Sequence, residues 1–142
     1  MALETRLRMS VLGCFVDEGD ILLIHQMTFP EPDCWDLPGG GLRPEETLMA
    51  GLFREVREET GIEAFRVDRL LTVVEGFFPE GENRQLHGVN LIYQCSVDPR
   101  PLVLQSADPE IGPKGIRWLP ITELTPDICS ARSWQAIQAI EA

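Results

Sequence analysis

The chain has 142 residues, 44% of them hydrophobic and 25% charged, which is the composition of one folded domain spanning 1–142 rather than of a disordered segment. Its formal charge is −11, from 12 Lys+Arg against 23 Asp+Glu, and no basic cluster interrupts that acidity, so a nucleic acid duplex is excluded as a partner. No apolar run approaches the roughly 20 residues that span a bilayer, and the N-terminal segment lacks the layout of a secretory signal; the expectation is a cytoplasmic protein with no membrane partner.

In chain order, RLRMSVLGCFV (6–16) and ILLIHQ (21–26) read as two strands joined by the turn DEGD, where Gly19 suits a positive φ. TFPEPD is a Pro-rich loop, and CWDLPGGG leads into a glycine turn. A helix is expected from about residue 45 to 60, stopped by Gly61. RVDRLLTVVEGFF and LHGVNLIYQCSV are further strands around a polar loop. A long Pro/Gly-rich loop over 98–115 precedes the short strand IRWLP, and loops of that length tend to carry function. ARSWQAIQAIEA is a terminal helix with Trp134, Ile137 and Ile140 on one stripe. Cys14, Cys34, Cys95 and Cys129 are far apart and form no C-x-x-C pair, so they read as small hydrophobes rather than zinc ligands or disulfides.

The central helix poses the main question. Leu48, Leu52 and Val56 recur every four residues as a core stripe, yet Glu55, Glu58 and Glu59 share one face beside it. Gly51, one turn before Glu55, leaves room for a close neighbour. Carboxylates withdrawn from water cost on the order of several kcal/mol each unless paired. Arg54 and Arg57 are near in sequence, but helix geometry points them about 100–200° round from Glu55. Three oxygen ligands on one face suit a hard cation such as Mg²⁺ or Mn²⁺, and the alternative is a solvated acidic face.

The surrounding residues favour the cation. The pattern G-x5-E-x7-R-E-U-x-E-E-x-G-U, with U a bulky aliphatic, is met at Gly40, Glu46, Arg54, Glu55, Val56, Glu58, Glu59, Gly61 and Ile62. This resembles the Nudix hydrolase box, and ILLIHQ, WDLPGG and IRWLPITEL are similar to the segments that flank it in that family. The resemblance implies an α/β (α+β) fold, an α/β/α sandwich with a mixed sheet. It implies divalent-metal-dependent hydrolysis of a pyrophosphate bond in a nucleoside diphosphate linked to another moiety. ADP-ribose, nucleotide sugars and nucleoside triphosphates all remain open as substrates. The alternative is a non-catalytic module that senses a nucleotide.

The same resemblance implies residue roles. Glu55 and Glu59 are the principal metal ligands, with Glu58 as a further ligand or water-orienting group. A backbone carbonyl from the glycine turn, Gly39 first and Gly40 next, joins them. Glu46 near the helix start is structural, with Arg54 as its partner. A catalytic base outside the box is expected on a later loop, with Glu110 preferred, Glu75, Glu80 and Glu82 as alternatives, and Glu58 still open. His25 and Phe29 are weak candidates for substrate contact: His25 replaces an arginine often found in that strand, and Phe29 is loop-placed and able to stack on a base. His87 has the same standing as His25. The oligomeric state is left open, a homodimer included.

Overall fold

The computed structural model describes residues 2–141. It contains β1 (Glu4–Asp17), β2 (Asp20–Gln26), β3 (Cys34–Asp36), β4 (Gly39–Gly41), α1 (Leu48–Thr60), β5 (Arg66–Pro79), β6 (Arg84–Ser96), β7 (Ile111–Pro120) and α2 (Ala131–Glu141). Ala142, the last residue of the expected terminal helix, lies outside the described residues. The strands form a mixed sheet in the order β3-β2-β1-β6-β5, with β4 added to β1 and β7 to β2. The long pairing of β1 with β6 is parallel, and every other pairing is antiparallel. This is the mixed α+β sandwich that the sequence led us to expect.

Strand alternation sorts the core into two layers. Val11 and Phe15 of β1 and Leu22 of β2 pack with Leu52 and Val56 of α1. Leu12 and Cys14, one residue out of phase, pack with Ile21, Leu23, Ala136 and Ile137, the last two from α2. One helix therefore covers each face. Trp134 and Ile140 complete the α2 stripe as partly buried residues. No disulfide is formed, and Cys14, Cys95 and Cys129 are buried.

Four expectations need correction. The helix begins at Leu48, not near 45: Thr47 is its N-cap, accepting from the Ala50 N–H at 3.1 Å. Glu46 thus lies before the helix and not in its first turn. Leu48 is 38% exposed, whereas Leu52 and Val56 are fully buried, because the first helical turn projects beyond the sheet it packs on. The three glycines form a short strand rather than a turn alone, pairing Gly41, Gly40 and Gly39 with Ser10, Val11 and Leu12. The last strand starts at Ile111, several residues early, where Ile111 pairs with Gln26 across an irregularity in β2. The helix stop is as expected, with Gly61 at φ 81° donating to the Arg57 carbonyl.

Candidate active site

The site is assembled where β4 crosses the end of α1. Gly39 has φ 149°, and a methyl group placed on it would lie 2.2 Å from the Val11 carbonyl oxygen. A methyl on Gly40 would lie 2.6 Å from a carboxylate oxygen of Glu55. Glycine is therefore needed at Gly39 for the strand to pass against β1, and at Gly40 it leaves the Glu55 carboxylate its place. Gly51 plays the same part on the helix side, where a methyl would lie 2.5 Å from Leu42.

This approach brings the backbone onto the carboxylates. The Gly39 N–H donates to Glu59 Oε1 at 2.6 Å. Glu59 is 6% exposed, and burial pushes its carboxyl well above the ordinary range, with the charges of Glu55, Asp36 and Asp108 adding to the rise and the Gly39 N–H opposing it. Glu55 and Glu58 are held by Arg54, at 2.8 and 3.3 Å. The same guanidinium grips Glu46 at 2.6 Å and donates to the Gly41 carbonyl at 3.2 Å. Arg54 thus reaches Glu55 after all, because its long side chain folds back across the 100° step between neighbouring helical positions. Its hydrogen bond to Glu46, helped by a backbone N–H of Arg43, draws the Glu46 carboxyl down to about 2. The Glu46–Arg54 pair forms as expected, as a clasp between the helix and the loop before it.

The long loop docks onto the C-terminal end of α1. The N–H groups of Gln105 and Ala107 donate to the carbonyls of Thr60 and Glu58 at 3.0 and 2.7 Å, and the Ser106 hydroxyl donates to the Glu58 carbonyl at 3.2 Å. Carbonyls left over at the helix end are satisfied in this way. Turn chemistry then carries the chain forward: the Asp108 N–H donates to Ser106 Oγ, and the Glu110 N–H to Asp108 Oδ1, both at 2.9 Å. The loop thereby delivers Asp108 and Glu110 to the carboxylate cluster.

All of this opens onto one cleft of about 840 Å³, whose lining includes Gly39, Gly40, Glu55, Glu58, Glu59, Glu110 and Phe29. His25 is not brought into it. That ring is 3% exposed, accepts from the Lys114 N–H at Nδ1 and meets Asp33 at Nε2, so its proton sits on Nε2 and it ties β2 to its neighbours. Of the alternative bases, Glu80 is engaged with Arg6 at 2.7 Å, and Glu75 with His87 at 2.8 Å. Glu82 does not line the cleft.

Sequence reasoning missed a buried network in the cleft lining. Asp36 is 2% exposed and receives a two-pronged contact from Arg132, at 3.1 and 2.6 Å, plus hydroxyl donors from Ser130 and Ser133. Arg132 also donates to Asn90 Oδ1 at 2.8 Å. Burial alone would raise the Asp36 carboxyl, but the charge and hydrogen bonds of Arg132 outweigh it and hold the group low. Asp108, which the sequence reading also passed over, was signalled by S-x-D-x-E turn chemistry.

The donor set fits a hard divalent cation: a buried carboxylate, Glu59, is opposed by a single N–H and crowded by further acids. Glu55, Glu58, Glu59 and a carbonyl of the Gly39–Gly40 segment are the groups able to hold it. Among the described residues no three acidic, imidazole or thiol side chains are gathered into a ready-made cage; Glu55 and Glu58 lean on Arg54 instead.

Comparison with known proteins gives a consistent result. A family model described as the NUDIX domain matches residues 5–139. Nudix hydrolase 5 of Arabidopsis thaliana is 28% identical over 116 residues, covering 79% of this chain and 36% of that protein. The human diphosphoinositol polyphosphate phosphohydrolase 3-alpha is 41% identical over 58 residues, covering 41% of this chain and 34% of that protein. The chain spans about a third of the length of these curated relatives. The crystal structure of a MutT NUDIX hydrolase from Burkholderia pseudomallei superposes with a TM-score of 0.76 at 24% identity, covering 95% of this chain and 98% of that one.

Proposed function

The chain belongs to the NUDIX family, and from that premise we propose that it is a divalent-cation-dependent pyrophosphohydrolase acting on a nucleoside diphosphate joined to a second group. The observation that carries this reading is the convergence of Glu55, Glu58, Glu59 and Glu110 on one cleft, with the backbone of Gly39 against Glu59.

In this reading Glu55, Glu58, Glu59 and the glycine carbonyl hold Mg²⁺ or Mn²⁺, which when bound neutralises the phosphate oxygens and favours ionisation of water. The rest belongs to the chain's own residues. Arg54 restrains Glu55 and Glu58 and keeps β4 against the helix through the Gly41 carbonyl. Glu110, exposed on the tethered loop, takes the proton from the attacking water, with Glu58 as the second choice. Phe29, 49% exposed in the cleft lining, covers the base of the substrate. The whole chain acts as one domain. A cytoplasmic location is consistent with its four free thiols, and no described helix is long and apolar enough to cross a membrane.

The test is phosphate release, through a coupled phosphatase, from ADP-ribose, nucleotide sugars and nucleoside triphosphates, with Mg²⁺, with Mn²⁺ and with chelator. Metal-dependent release is expected. Glu59→Gln should lower kcat by about 100-fold or more while leaving the thermal midpoint near wild type, because removing one anionic ligand weakens the cation site. Glu110→Gln should slow turnover by about 10²-fold or more with metal affinity little changed. Full activity in Glu59→Gln would refute the ligand assignment. Full activity in Glu110→Gln would return the base role to Glu58.

A further inference from the structure

This inference rests on the reading above and deepens it, because it concerns how the substrate is held and which class fits. A cleft that receives an anion needs cations of its own. Eight acidic residues line this cleft against two arginines, Arg8 and Arg132. Arg132 is engaged by Asp36 and Asn90. The guanidinium of Arg8 makes no ion pair or hydrogen bond among the described residues.

Its placement is specific. Arg8 on β1 lies beside Gly88 of β6, which lies beside Gly76 of β5. The sheet floor next to the cation is open at Gly88, where a methyl would meet nothing nearer than 3.9 Å, and is flanked at Gly76 by the Phe78 ring, 3.0 Å from where a methyl would sit. The guanidinium folds over β4, where a methyl on Gly41 would lie 2.9 Å from its Nε. Glu55 and Glu110 act on it electrostatically without bridging to it. Partial burial, and the like charges of Arg132 and Arg6, lower its proton affinity, which an incoming anion would relieve.

We propose that Arg8 is the phosphate-binding residue of the cleft, holding a phosphate of the substrate above Gly88, and that a cleft with this single unpaired arginine takes one pyrophosphate rather than a ring crowded with phosphates. The planar fork of arginine matches phosphate oxygens. A polyphosphorylated ring, the substrate class named for the human relative, needs several such groups, and the acids lining this cleft repel the remainder.

The experiment measures binding of α,β-methylene-ADP in Mg²⁺ by calorimetry, alongside KM and kcat on whichever nucleoside diphosphate derivative turns over. The variants are Arg8→Ala, Arg8→Lys and Arg6→Ala, the last removing a neighbouring arginine that pairs with Glu80 instead. Loss of a charge-assisted hydrogen bond predicts about tenfold or more weaker binding and higher KM in Arg8→Ala, with kcat changing less. Arg8→Lys should recover part of the loss, Arg6→Ala should match wild type, and inositol hexakisphosphate should displace the analogue no better than ADP does. Wild-type affinity in Arg8→Ala, an equal loss in Arg6→Ala, or tighter competition by the hexakisphosphate would overturn the proposal. If the wild type hydrolyses nothing yet binds the analogue through Arg8, the hydrolase reading fails and this one stands. If the wild type neither binds nor hydrolyses, both fail.

Discussion

Two adjacent glycines at the site do different jobs, and the difference is measurable. At Gly39 a side chain would meet both a left-handed backbone and the Val11 carbonyl, neither of which can yield. Gly39→Ala should therefore cost about 2 kcal/mol or more in stability. At Gly40 the obstacle is the far end of the Glu55 side chain, which can swing away. Gly40→Ala should keep the thermal midpoint close to wild type while lowering activity by about 10- to 100-fold, because it displaces a carboxylate from the site. Thermal melts and steady-state rates on the two variants check this, and equal loss of stability in both would contradict it.

Helix α1 shows how far a sequence pattern reaches. Spacing alone put Leu48, Leu52 and Val56 on one stripe and three glutamates beside it, and the angles were right. Period gives direction around an axis, however, not distance to a partner, and Leu48 points the correct way with too little beneath it. Leu52→Ala should cost about 2–5 kcal/mol and Leu48→Ala less than about 1, read as shifts in urea midpoint. Similar costs would mean that the first turn is packed more tightly than its exposure indicates. β4 was illegible for another reason: three glycines carry no strand preference, and only the close passage between β1 and Glu55 makes them one. The box residues were legible because their chemistry is local, within one helix and the turn before it.

At the scale of the molecule, the parts that sequence reading missed join distant segments. Asp36 and Arg132 are 96 residues apart, and no periodicity links a strand-end aspartate to the first turn of the last helix. Their pairing sets an acid limit. The Asp36 carboxyl is held below its unfolded value of about 3.9, so its contribution is present above that pH and is lost as pH falls through the lower folded value. Asp36→Asn should cost about 3–5 kcal/mol at neutral pH by stranding the Arg132 charge. Urea midpoints should show the gap between variant and wild type closing as pH drops below that unfolded value; a constant gap would exclude Asp36 as the linked group. The tethered loop has a consequence of a different kind. The amides of Gln105 and Ala107 are bonded to the end of α1, so their deuterium uptake reports detachment of the segment that carries Glu110. Substrate that holds Glu110 in the cleft should slow uptake at those two positions relative to the β1 amides. The helix end thereby supplies a spectroscopic clock for the assembly of the site.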